Sequence, residues 1–168
     1  NYMGNCYPPG STGNFYGRKW SLYEGGIRVP FIVQWNGKIP AGKTDSTTVL
    51  TAFDLFPSIC HLLKITPPKD LDGTDKSRAL LGNTIQQQEP VFWEYASNPG
   101  GSIQPGNENF KSPNLAVRMG NWKLLMNVDY SDKELYNLLI DPGEKNNLAE
   151  TNKEKAEELA FKLIEWRK

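Results

Sequence analysis

Hydrophobic positions follow two different rhythms along this chain. Near the start lies a continuous apolar, β-branched run of strand length, Val29-Pro30-Phe31-Ile32-Val33-Gln34-Trp35. Such a run predicts a buried strand over residues 28–35. A helical pattern follows, in which Phe56, Cys60 and Leu63 recur on one face. Asp54 is placed to cap that helix, and Pro57 is expected in its first turn. The period changes to two further on. Pro90-Val91-Phe92-Trp93-Glu94-Tyr95 is a strand pattern, and Ala116–Met119 and Trp122–Met126 flank a Gly120-Asn121 turn as a hairpin. Glu134–Leu138 adds a further strand. The last stretch is the clearest helix: Ala156, Leu159, Ala160, Leu163 and Ile164 make one apolar stripe, with Thr151 and Glu154 spaced as a capping box.

Between these elements the chain is turn-rich. Residues 1–18 and the Gly37, Pro40, Gly42 region read as loop, and residues 74–88 are a polar connector with one apolar patch at Leu80-Leu81. Residues 96–113 form a long Gly/Pro/Asn loop, of a length that is usually functional or disordered. The boundary between two units is placed in the connector, giving 1–82 and 83–168. The second is an antiparallel sheet packed by the C-terminal helix, an α+β arrangement.

Composition narrows the functional classes. Nineteen Lys and Arg balance nineteen Asp and Glu, so no bulk charge draws the chain to nucleic acid or to a membrane surface. No apolar run is long enough to span a bilayer. With 38 % hydrophobic residues, twelve prolines and fifteen glycines, the chain can build a core but is interrupted by many turns. Cys6 and Cys60 do not define a redox compartment. Cys60 lies on the apolar face of the first helix and is expected to be buried and inert. His61 is the only histidine. No second His, Cys or carboxylate stands at metal-ligand spacing from it, so no metal ligand is assigned in the chain.

Candidate chemistry gathers just before the apolar run, in Lys19-Trp20-Ser21-Leu22-Tyr23-Glu24-Gly25-Gly26-Ile27-Arg28-Val29-Pro30. Two adjacent glycines permit positive φ or a close backbone approach, and so mark a sharp turn. On residue types alone, Glu24 and Arg28 pair to hold that turn and Lys19 is solvated.

The order of short motifs adds to this reading. Lys19-x4-Glu24-Gly25-Gly26-x-Arg28-x-Pro30 resembles a signature in the C-terminal part of the sulfatases. Trp35-Asn36-Gly37-Lys38-Ile39-Pro40-Ala41-Gly42, Asp54-Leu55-Phe56-Pro57-Ser58 and Leu71-Asp72-Gly73 are similar to that family's next motifs. So are Arg118-Met119-Gly120-Asn121-Trp122-Lys123-Leu124 and Glu134-Leu135-Tyr136-Asn137-Leu138, followed by Asp141-Pro142, Glu144 and Asn147-Leu148. The series runs in family order over nearly the whole chain.

The resemblance implies the C-terminal end of an alkaline-phosphatase-like α/β sulfatase domain (1–82) followed by a small C-terminal α+β subdomain (83–168). It implies sulfuric ester hydrolysis by the whole protein, acting on a sulfated glycan or aryl sulfate. The formylglycine nucleophile and the divalent cation, usually calcium, are expected upstream of this chain, on the remainder of the sulfatase domain. Cys6-Tyr7-Pro8-Pro9-Gly10 matches only the first three places of the family's C-x-P-S-R motif, so Cys6 reads as a loop thiol. The one catalytic position carried over is Lys19, as a contact to sulfate, with Glu24 and Arg28 as braces of the turn that aims it. Family likeness also implies export from the cytoplasm. In many relatives a histidine follows the strand written here Phe92-Trp93-Glu94, where this chain has Tyr95, so no pocket role is carried over there. Two other functions stay open: a phosphoester or phosphonate hydrolase of the same superfamily, and a binding module without catalysis.

Overall fold

The structure, a computed structural model, describes residues 10–86, 89–95, 105 and 108–168. Cys6 and most of the 96–113 loop lie outside the described residues. The chain forms two compact units. One gathers the described residues up to Val29 with those from Glu89 to Lys168; the other comprises Pro30–Gln88.

The first unit is built on a four-stranded antiparallel meander: β1 (Val91–Glu94), β2 (Leu115–Met119), β3 (Trp122–Met126) and β4 (Glu134–Asn137), in spatial order β1-β2-β3-β4. Its register is set by the two-residue Gly120-Asn121 turn, which pairs Met119 with Trp122 and Arg118 with Lys123. Gly120 has φ +59°, the left-handed conformation that a tight hairpin turn requires and that glycine adopts without a steric penalty. Alternation along the strands then sorts the side chains. Leu115, Val117, Leu124, Met126 and Leu135 face one way and are covered by the C-terminal helix Lys153–Arg167 through Ala156, Leu159, Ala160 and Leu163. Ala116, Leu125 and Tyr136 face the other way and are covered by Leu22 and Tyr23. Both faces of the sheet are therefore buried, one by a helix and one by an N-terminal segment. That segment includes a single helical turn, Glu24–Ile27.

The helix begins where its periodicity predicts, but without the expected capping box. Asn152 occupies the N-cap, and the Thr151 hydroxyl donates backward to the Leu148 carbonyl at 3.2 Å, which removes it from the helix end.

In the second unit a helix, Ala52–Leu62, packs against a short one, Ser77–Leu80. Thr51 takes the N-cap position. Asp54 sits one turn in, and its carboxylate accepts the Thr51 N–H at 2.8 Å. The same carboxylate accepts the Thr74 N–H at 3.0 Å and the Lys76 ammonium at 2.9 Å. Burial alone would raise the Asp54 carboxyl, but these donors outweigh it and hold it below the usual carboxylate range. Pro57 lies inside the helix and has no N–H to offer the carbonyl of Phe53, four residues back. Gly73 packs on that carbonyl so closely that a Cβ would stand 2.0 Å from its oxygen, so glycine is required there.

Two expectations for this region are corrected. Residues 28–35 form no strand: the run joins no ladder, with Val29 78 % and Ile32 92 % exposed. β-propensity describes fit to a pleated, half-buried surface, and among the described residues no strand lies alongside this run to supply one. The face of Ala52–Leu62 marked by Phe56, Cys60 and Leu63 is also not the buried one. Cys60 is buried, but Phe56 and Leu63 are exposed. The inner face belongs to Asp54, Pro57, Ser58 and Cys60, because Ser58 accepts the Lys76 N–H at 2.7 Å and draws the polar side inward. Phe31, Val33, Trp35, Leu55 and Ile59 line an open apolar groove of about 320 Å³ on this unit.

Candidate functional site

Lys19 sits near the tip of a closed loop. The loop is shut at its base by the Gly25 N–H, which donates to the Tyr16 carbonyl at 2.7 Å. Nearer the tip, the Ser21 N–H and hydroxyl both reach the Arg18 carbonyl, at 3.1 and 2.9 Å. Trp20, beside Lys19, has φ +79°, a left-handed conformation that a bulky residue adopts only when its surroundings impose it. The Lys19 side chain is exposed and its Nζ stands 5.2 Å from the centre of the Trp20 ring. Gly25 and Gly26 serve the turn through space and not through positive φ. A Cβ on Gly25 would stand 2.6 Å from the Tyr16 and Gly17 carbonyl oxygens, and one on Gly26 2.1 Å from that of Ser21.

Glu24, at the foot of this loop, enters a buried ion cluster. Its carboxylate lies 3.0 Å from Lys123 Nζ on β3, 3.5 Å from the Arg118 guanidinium on β2 and 3.7 Å from that of Arg28. Lys123 has 0 % exposure and also lies 2.8 Å from the Glu144 carboxylate. Glu144 in turn accepts the Glu24 N–H at 2.6 Å. Arg118 and Lys123 are direct cross-strand partners, a like-charge pairing that is destabilising unless an anion lies between them; Glu24 supplies it. Burial raises the Glu144 carboxyl above its ordinary range, while Lys123 and the Glu24 N–H pull it back only in part. Arg28 is partly exposed and stacks over Phe15 at 4.5 Å.

Tyr23 extends the same contact zone. Its hydroxyl donates to the Glu134 carboxylate at 3.0 Å, and Tyr136 does the same at 2.9 Å. Burial, then the nearby Glu134 charge, raises both phenols, so they remain donors across the physiological range. Burial also raises Glu134 despite these two hydrogen bonds.

The structure thus brings Glu24 and Arg28 together and places Lys19 outside the ion cluster, on the loop that Glu24 anchors. Lys123 and Glu144 stand in the motif series of the sequence, but no site role follows from it. Lys123 carries one further signal: it is in phase with Leu125, on a sheet face that turns out to be covered. His61 pairs with Asp75 at 3.0 Å on the exposed side of the other unit. Among the described residues no three of His, Cys, Asp and Glu cluster closely enough to hold a metal ion.

The family model described as N-sulphoglucosamine sulphohydrolase, C-terminal, matches residues 10–168. The chain belongs to the sulfatase family. It is 31 % identical over 150 residues to an N-acetylgalactosamine-6-O-sulfatase of Bacteroides thetaiotaomicron, a match covering 88 % of this chain and 29 % of that one. It is 36 % identical over 132 residues to arylsulfatase G of Canis lupus familiaris, covering 70 % and 22 % respectively. A solved sulfatase structure from work on glycosaminoglycan metabolism in Bacteroides thetaiotaomicron superposes with a TM-score of 0.71 at 29 % identity, over 91 % of this chain and 32 % of that one. The structure titled Ps i-CgsB in complex with k-i-k-neocarrahexaose gives a TM-score of 0.65 at 28 % identity, over 87 % and 30 %. The chain therefore spans less than a third of the length of these sulfatases, and it is the C-terminal portion that matches.

Proposed function

We propose that this chain is the C-terminal part of an enzyme that hydrolyses a sulfate ester of a glycan, and that Lys19 contacts the sulfate. The observation that carries this reading is the placement of Lys19: an exposed ammonium on a loop closed at its base and anchored by buried ions, within a chain matched to sulfatases along its described length. A point charge on a flexible stem can follow negative charge as it builds on the sulfuryl oxygens, which makes lysine suited to the task. Glu24 and Arg28 act as braces. Glycan substrates are favoured over simple aryl sulfates by the relatives, one named for N-acetylgalactosamine and one solved with an oligosaccharide.

The proposal extends to domain organisation. Residues 1–82 belong to the end of the catalytic α/β domain and 83–168 to a C-terminal subdomain. The remainder of the sulfatase domain is the partner that covers the exposed apolar run at residues 28–35. Formylglycine and calcium, where the full enzyme uses them, reside on that remainder.

Steady-state kinetics of the full-length enzyme on a sulfated oligosaccharide test the reading. Lys19→Ala is expected to lower kcat/KM by about 10²–10³-fold with the fold intact. Lys19→Arg is expected to restore only part of it, since the planar fork has a different reach. A Lys19→Ala enzyme with wild-type kcat/KM would remove Lys19 from the site.

A further inference from the structure

Three motif segments far apart in the sequence meet at one point of the first unit: 19–28, 118–124 and 141–148. The last is a bracket. The Asp141 carboxylate accepts the N–H groups of Lys145 and Asn146, each at 2.8 Å. Asn147 Oδ1 accepts those of Leu135 and Ala149, at 3.0 and 2.9 Å. The bracket holds Glu144 at φ +50°, a strained conformation for a non-glycine residue. A Cβ on the adjoining Gly143 would stand 2.9 Å from the Asn14 carbonyl oxygen. Glu144 is thereby presented to both the Glu24 N–H and Lys123. The sheet brings the second support, with Lys123 buried between two carboxylates and Arg118 opposite it. Neither support touches Lys19. Both fix Glu24, the residue preceding the Gly25 N–H that closes the Lys19 loop.

We propose that Lys123 and Glu144 are positioning residues for Lys19, which they hold in place through Glu24. The proposal rests on the reading of Lys19 as the sulfate contact. A loop needs two fixed feet to aim a side chain at its tip. Tyr16 supplies the first, its hydroxyl donating to the Asn109 carbonyl at 2.5 Å. Glu24 supplies the second. Side-chain misplacement of about 1 Å at a reacting group costs on the order of 10² in rate, so a support remote from the substrate is visible in kinetics.

The test uses the full-length enzyme, with kinetics on a sulfated oligosaccharide and amide hydrogen exchange measured side by side. Lys123→Met is expected to lower kcat/KM by about 10²-fold per folded molecule and to cause no further loss when added to Lys19→Ala. Exchange over residues 16–25 should quicken while residues 153–167 keep their protection. Leu163→Ala, on the opposite face of the sheet, controls for lost stability and should leave kcat/KM of the folded enzyme unchanged. Where Lys123→Met does not fold, Glu144→Gln and Glu144→Ala carry the test. The glutamine keeps an acceptor for the Glu24 N–H and should lose less activity than the alanine. Unchanged kcat/KM, a loss that multiplies that of Lys19→Ala, or equal deprotection of residues 16–25 and 153–167 would overturn the proposal. Absence of sulfatase activity in the wild-type enzyme would instead overturn the proposed function, and the exchange comparison would still decide whether Lys123 and Glu144 hold the loop.

Discussion

Lys123 lies on β3 in phase with Leu125, so the pleat turns it onto the face shared by Ala116 and Tyr136. A lysine there survives only because Glu24 and Glu144 receive it; removing one partner of a buried ion pair typically costs about 3–5 kcal/mol. Asp54 is the corresponding residue of the other unit, and it makes a pH prediction. Its folded carboxyl titrates below the unfolded value of about 3.9, so between the two values the unfolded state binds more protons. Stability from Asp54 is therefore complete above the unfolded value and lost as pH falls through the folded one. Thermal melts from neutral pH down to about pH 2 are expected to show Asp54→Asn less stable than wild type at neutrality and flatter in acid. Parallel curves would mean that Asp54 does not carry the acid dependence. Glu134 and Glu144 have the opposite sign, since burial raises them; their contribution declines as pH rises. The sequence named Lys19, Glu24 and Arg28 through their motif, because short spacing around a glycine pair is local information. It placed Lys123 and Glu144 in motifs but gave neither a role, because their partners are 99 and 120 residues distant and their roles exist only after the sheet has formed.

Among the elements, those written in local chemistry were legible. The Gly120-Asn121 turn fixes a register by itself, and the stripe from Ala156 to Leu163 marks a helix face against β2 and β3. Leu163 is wholly buried there. Leu163→Ala is expected to cost about 2–5 kcal/mol, read from denaturant midpoints; a change within error would place the stripe outside the core. Illegible elements were those decided by neighbours. Residues 28–35 have strand composition and no strand beside them. Phe56 and Leu63 have helical spacing, yet the polar contacts of Asp54 and Ser58 claim the inner face of their helix. Thr151 has cap chemistry and donates to Leu148 instead.

At the scale of the molecule, the chain presents apolar surface that ordinary small domains cover. Ile32, Phe53 and Phe56 are exposed, and Phe31, Trp35, Ile59 and Leu63 are exposed residues lining the apolar groove; an exposed apolar groove of this kind marks an interaction surface. In the proposed enzyme the remainder of the sulfatase domain covers them. The 168-residue chain alone is expected to turn over no chromogenic aryl sulfate, and release of the chromophore that survives both Cys6→Ser and a chelator would contradict this. No helix among the described residues is long and apolar enough to cross a membrane. The unit that carries Lys19 is assembled from two separated stretches, with residues 30–88 forming a body of their own between them. A ribosome releases the Lys19 loop long before the strands it rests on exist, so during synthesis the loop has nothing to lean on until the hairpin and the Glu144 bracket emerge. A premature stop after the hairpin but before Glu144 would thus strip the bracket from a residue translated more than a hundred codons earlier, leaving Lys19 present in the product and unaimed.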